Sequence, residues 1–160
     1  MGDTIGTMGT EAFEQLVMGL EPQCRKREQS DCAAVDVPVS ALETLMRNLR
    51  DEVRLSFDML LDHTAIDHIQ DGRFELVYLL YSTRHGHHLM VTCEIPRTDP
   101  IAPTMGDLWP IAHWQEREVF DLFGIGYDGH LDLRRLFLED GWQGYPLRKD
   151  YTDPDMLEPA

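Results

Sequence analysis

Two runs of alternating residues constrain this chain most. Phe74, Leu76, Tyr78 and Leu80 hold every second position, and so do Leu89, Val91, Cys93 and Ile95. A β-strand turns successive side chains to opposite faces, so each run presents one apolar face. The connection from Ser82 to His88 is polar and centred on Gly86, which reads as a hairpin loop. Around this hairpin lie segments of helical period. Thr10 is an expected N-cap, followed by Phe13, Leu16, Val17 and Leu20 on one face, and Glu21-Pro22 closes the segment. Ser40 with Glu43 three residues on has the form of a capping box. Leu42, Leu45, Met46, Leu49 and Val53 then make a core-facing stripe. A short helix is expected near Thr104–Ile111 and a longer one over Ala112–Phe123, stopped at Gly124. Ala33–Val39 reads as a short strand, and the alternation of Leu55, Phe57, Met59 and Leu61 predicts another.

The character changes after Gly124. Gly126, Gly129, Gly141, Gly144, Pro146, Pro154 and Pro159 punctuate the rest, and no strong period survives. A structureless stretch of this length is uncommon inside a compact domain. Yet it carries Leu131, Leu133, Leu136, Phe137, Leu138, Trp142, Tyr145 and Leu147, too much apolar surface to leave in water. The expected cover is a partner protein. The division is therefore a disordered N-terminus over 1–9, a folded α/β domain over 10–124 and an extended, partner-wrapping arm over 125–160.

The chain has 160 residues, which suits one domain. Lys plus Arg is 14 against 29 Asp plus Glu, for a net charge of −15. That balance excludes a basic nucleic-acid footprint and a polybasic membrane anchor. No apolar run approaches the roughly 20 residues that span a bilayer, and no secretory signal is evident. The cysteines, Cys24, Cys32 and Cys93, are odd in number and form no C-x-x-C pair. Neither a disulfide framework nor a zinc or iron–sulfur site is expected, and a cytoplasmic, reduced chain is the simplest reading.

Few groups stand out chemically. His85, His87 and His88 share the hairpin turn and could gather a metal, but no local carboxylate or cysteine joins them. His63 and His68 are spaced for neither a helical pair nor a strand face. Phosphate- and dinucleotide-binding glycine motifs are absent. Near the start of the last helix, Glu116 falls inside the apolar arc of Val119, Phe120 and Phe123, whereas Glu118 and Asp121 fall outside it. A carboxylate on an apolar face must be paired or shifted in pKa. The favoured reading is a structural ion pair with Arg134, Arg135 or Arg148, rather than a catalytic acid.

The block from Trp114 to Tyr151 is the informative one. It contains Glu116-Arg117-Glu118, Asp121-Leu122-Phe123-Gly124-Ile125, Gly129-His130 and Asp132-Leu133-Arg134-Arg135. Trp142, Gly144 and Pro146-Leu147-Arg148-Lys149-Asp150-Tyr151 follow. In residue types and spacing it resembles the signature of the thirty-kilodalton subunit of respiratory complex I, which in bacteria is a subunit of the NADH-quinone oxidoreductase. Asp107-Leu108-Trp109-Pro110 upstream also fits. Leu131 stands where the family usually has proline, and Glu139-Asp140-Gly141 where it often has Pro-Glu-Asp.

The resemblance implies a small two-layer α/β (α+β) domain with a mixed sheet, followed by an extended C-terminal arm. It implies a scaffold subunit without catalytic, cofactor-binding or metal-ligating residues of its own. NADH, FMN, iron–sulfur clusters and quinone would belong to the assembled complex. The implied partners are the hydrophilic-arm subunits holding the terminal cluster and the quinone site, on the cytoplasmic side of the bacterial inner membrane. The motif residues would then serve docking. The equivalent subunit of a deazaflavin-linked dehydrogenase or membrane-bound hydrogenase is the alternative. A stand-alone metal-dependent enzyme built on His85, His87 and His88, or a free-standing adaptor, are the readings of another class.

Overall fold

The computed structural model describes residues 8–153. Most of the expected frayed N-terminus lies outside them. The elements run α1 (Thr10–Gly19), β1 (Arg25–Lys26), β2 (Ala34–Asp36), α2 (Val39–Asp51), β3 (Met59–His68), β4 (Arg73–Tyr81), β5 (His88–Pro96), β6 (Ile101–Pro103), α3 (Ala112–Phe123) and β7 (Gly126–Asp128). Five strands form one sheet in the order β1-β2-β5-β4-β3, antiparallel except for the parallel β2/β5 pair. The sheet is therefore mixed. The hairpin aligns Leu80 with Leu89, Tyr78 with Val91, Leu76 with Cys93 and Phe74 with Ile95, and all eight are buried. α2 buries Ala41, Leu42, Leu45, Met46 and Leu49 in the same core.

Several local expectations are corrected. Thr10 lies inside α1, and Gly9 is the N-cap. Likewise, Pro38 precedes α2 with φ −67° and ψ 150°, so the helix begins at Val39 and Ser40 cannot cap it. Glu43 pairs with Arg47 instead, at 2.9 Å. The Leu55–Leu61 alternation does not mark a strand face. Leu55 and Phe57 are buried before β3 begins, while Met59 and Leu61 on the strand are exposed. A register shift between Leu60 and Asp62 reverses the parity, so β3 turns Leu60, His63, Ala65 and Asp67 inward. No helix forms over 104–111. The Leu108 and Trp109 amides both turn back to the Met105 carbonyl, which makes a single turn, and Pro110 has no amide hydrogen to extend it.

The start of the arm also shifts. Ile125 and Tyr127 belong to the buried core, and β7 pairs in parallel with β6. The irregular stretch begins at Gly129, whose φ is 82°. Between there and Asp153 no helix or strand forms.

Candidate functional site

The arm lies against its own domain, held by charged side chains whose partners are mostly backbone groups. α3 supplies the central anchor. Asp121 was expected on the polar side of the helix, but it is fully buried beneath the arm. Its Oδ2 accepts from the amides of Leu136, Phe137 and Leu138 at 3.1, 2.7 and 3.0 Å. Its Oδ1 accepts from Arg135 at 2.8 Å. Burial alone would raise the pKa of this carboxyl, but the guanidinium and the three amides bring it below the ordinary value. Arg135 also donates to the carbonyls of Trp142 and Gly144 at 3.0 and 3.1 Å, closing the arm on itself.

Arg117, one helical turn earlier, donates to the carbonyls of Arg134 and Arg135 at 3.1 and 2.9 Å and lies over the Trp114 ring. At the end of α3, Gly124 takes φ 74°, and a Cβ there would fall 2.5 Å from the Tyr145 ring. Arg148 donates to the Phe123 carbonyl at 2.5 Å, one of the carbonyls a helix end leaves unpaired, and stacks over Phe74 and Tyr145. A second anchor comes from β3. Asp67 takes both a bidentate pair from Arg97 at 2.8 and 2.9 Å and the Lys149 amide at 2.9 Å. Arg97 reaches on to Asp150 at 2.7 Å. Gly144, with φ 83°, packs its backbone on the Tyr151 ring.

The motif residues thus divide. Arg117, Asp121, Gly124, Arg135, Arg148 and Asp150 fasten the arm, as do the Leu147 and Lys149 backbones. Glu118 is exposed, Pro146 half-buried, and Arg134 pairs with Asp132 at 3.0 Å on the surface. Pointing outward are Leu131 at 83% exposure, Phe137 at 66% and Leu147 at 51%, with Trp142 and, on α3, Trp114.

The root of the arm is a second polar cluster. Glu116 is fully buried, as its place on the helical arc predicts. The expected arginine partner is absent: Arg134 pairs with Asp132, Arg135 with Asp121, and Arg148 holds the Phe123 carbonyl. Instead Oε1 accepts from the Met105 amide at 2.6 Å and Oε2 from the Thr104 hydroxyl at 2.5 Å. Burial pushes its pKa up to about 7, against the pull of these two donors. His130 Nε2 lies 3.9 Å from Oε2. With His113, these residues form the one group of metal-type donors gathered among the described residues. His130 offers no lone pair, however. Its Nδ1 accepts from the Asp132 amide at 3.0 Å, so Nε2 carries the proton and donates to the His113 carbonyl at 3.0 Å. Of the hairpin-turn histidines, His85 and His87 stack with ring centroids 5.5 Å apart, but the three do not converge on one point. His87 packs on Phe13, His88 on Tyr81, and His85 meets the Val53 carbonyl.

Sequence reasoning missed the roles of His63, Tyr127, Asp67, Arg97 and Thr104. His63 is buried, stacked on Tyr78, and bonded to the Tyr127 hydroxyl at 2.6 Å and the Val77 carbonyl at 3.0 Å. Burial lowers its pKa to about 4. The signal that could have found it is the β3 parity, which the bulge hides. A polar groove at the β1 side of the sheet holds Arg27, His68, Arg73, Glu75 and Glu94, but these pair among themselves.

Residues 35–155 match the family described as respiratory-chain NADH dehydrogenase, 30 Kd subunit. An NADH-quinone oxidoreductase subunit from Moorella thermoacetica is 40% identical over 139 residues, which cover 87% of this chain and 93% of that one. A chain of the membrane-bound sulfane sulfur reductase, an archaeal respiratory membrane complex, superposes with a TM-score of 0.79 at 26% identity. The match covers 91% of this chain and 87% of that one. The trypsin-resistant fragment (1-134) of Nqo5 superposes with a TM-score of 0.66 at 28% identity, covering 79% of this chain and all of the fragment.

Proposed function

Because the chain belongs to the family of the 30 kDa subunit of respiratory-chain NADH dehydrogenase, we propose that it is a scaffold subunit in the peripheral arm of a complex I-type NADH-quinone oxidoreductase. It supplies no catalytic group. Its arm, fastened to α3 and β3, presents Leu131, Phe137 and Leu147 to neighbouring subunits. Those neighbours are the ones holding the terminal cluster and the quinone site, on the cytoplasmic side of the membrane. NADH, FMN, the clusters and quinone bind elsewhere in the complex. The observation that carries this reading is the exposure of Leu131, Phe137 and Leu147 on an arm whose charged groups are already bonded to its own domain. Such a surface is pre-organised, so docking costs little ordering entropy. No helix among the described residues is long and apolar enough to cross a membrane.

The test is replacement of Phe137 and Leu131 by serine in the full chain. Truncating a central apolar side chain at an interface typically costs about 2 kcal/mol or more. Assembled complex on a native gel should fall, with NADH-quinone reductase turnover per assembled complex unchanged. Full assembly would remove the docking role, and lost turnover in assembled complex would place these residues in the chemistry. The sulfane sulfur reductase likeness favours a second reading, the equivalent subunit of a respiratory membrane complex with another donor. Failure of the purified complex to oxidise NADH would select it.

A further inference from the structure

We infer that His130 is a two-position catch at the root of the arm: its Nε2–H is held by the His113 carbonyl while Glu116 carries a proton, and is drawn to the Glu116 carboxylate when that proton leaves. The geometry sets two acceptors around one donor. The His113 carbonyl is at 3.0 Å and Glu116 Oε2 at 3.9 Å. The first is a hydrogen bond and the second lies about 1 Å beyond one. A neutral carboxyl cannot compete for the donor at that distance. A carboxylate competes well, because bonds to an ionised acceptor are about twice as strong as neutral ones.

The surroundings decide which partner moves. The His113 ring is packed on Gly106, where a Cβ would fall 2.1 Å from Cε1, so His113 is hemmed in. Glu116 is pinned by Met105 and Thr104. His130 follows Gly129, whose positive φ marks a turn, and its Nδ1 holds the Asp132 amide. Displacement of the imidazole therefore carries the first residues of the arm.

The titratable groups around Glu116 favour a proton held near neutrality. Asp107, in the loop before α3, repels the charge, as would Tyr78 from β4 and Tyr127 from β7 if ionised. His63, from β3, is turned to Tyr127. His113, on the same helix, and His130 are the neighbouring imidazoles, and Arg117 faces the Arg134 and Arg135 carbonyls. Among the described residues no lysine or arginine pairs with Glu116, and burial lifts its pKa to about 7. On deprotonation one proton passes to solvent, and no other covalent bond changes.

The inference stands whether or not the arm docks on a partner, since it is read on the full chain alone. The experiment follows the Glu116 carboxyl carbon, the His130 ring nitrogens and the Asp132 amide by NMR as pH crosses neutrality. The three should report one midpoint near 7, the value to which burial lifts Glu116. Glu116→Gln should abolish the step at His130 and Asp132. Thr104→Val should move the midpoint up, because it removes a donor to the carboxylate. Titration of Glu116 in the ordinary carboxylate range would overturn the catch. So would a step that survives Glu116→Gln, or a midpoint that Thr104→Val leaves in place. The wild-type titration and Thr104→Val decide the matter even if Glu116→Gln does not fold.

Discussion

The domain and the arm are held together by different physics. In the domain, α2 and the central hairpin bury apolar side chains against one another, and each contact is interchangeable with many others. In the arm, a few charged groups each hold several backbone positions: Asp121 takes three amides, and Arg135 reaches three carbonyls. Apolar burial is non-directional and scales with area. Charge-assisted hydrogen bonds are directional, and breaking one strands its partner. The domain should thus tolerate gradual change, whereas the arm should fail at single atoms. That design suits a surface whose shape must be fixed while its apolar side chains face outward.

The sharpest way to break this contrast is to cut the chain on either side of Gly126–Asp128. Removal of residues 130–160 should leave a folded domain, because β7 and Tyr127 remain. Removal of 126–160 deletes Tyr127 from the core and leaves the His63 ring without its hydroxyl. Loss of a large buried aromatic typically costs about 3–5 kcal/mol. Thermal unfolding of the two truncations should differ by about 10 °C or more, at about 4 °C per kcal/mol for a domain of this size. Equal midpoints would mean that Gly126–Asp128 belongs with the arm.

Smaller but more telling is Asp121→Ala against Leu45→Ala. Both should cost about 3–5 kcal/mol, one by stranding Arg135 and three amides, the other by leaving a cavity. Their distribution should differ. Hydrogen exchange in Asp121→Ala should rise over 131–150 with the sheet still protected, whereas Leu45→Ala should weaken every strand together. Uniform loss in both would abolish the distinction.

The smallest effect is a pH dependence inside the domain. His63 is depressed to about 4 from 6.5, so the folded state keeps it neutral while the unfolded chain protonates. Its contribution is present above pH 6.5 and is lost as pH falls towards 4, about 3 kcal/mol in all. Glu116 acts with the opposite sign: its raised pKa adds stability as pH falls from about 7 through 4.5. Measured in a Glu116→Gln background, denaturant midpoints should therefore fall on acidification over the His63 window. A flat profile there would mean that His63 can be charged in place.

Sequence patterning made the apolar framework legible. The Phe74–Leu80 and Leu89–Ile95 faces, the α2 stripe as far as Leu49 and the Gly124 stop read correctly, because period and left-handed caps are local; Val53, expected to continue the stripe, lies past the helix end at Asp51 and is exposed. Glu116 was rightly placed in the core, since a helical wheel needs only its own neighbours. Its partner was misread because Met105 and Thr104 offer a backbone amide and a hydroxyl, which charge arithmetic does not count. Asp121 looked exposed for a related reason. The wheel assigns faces relative to one core, and the arm creates a second covered side. Asp67 and His63 were hidden by the bulge at Leu61, where one extra residue reverses every side chain after it. The family signature in the arm could be read as a pattern, but not which of its residues turn in.

The arm is fastened to carboxylates that precede it in the chain, and this orders events during synthesis. β2 emerges early and waits for β5, its parallel partner, because β3 and β4 must be made in between. Asp67 sits on a strand of the sheet and Asp121 on a helix capped by Gly124, so the points that hold residues 129–153 exist only once those elements have formed. This segment can then dock only onto a domain that has already folded. A chain that fails earlier never displays the ordered Leu131–Leu147 surface, so the geometry makes completed folding a condition of assembly.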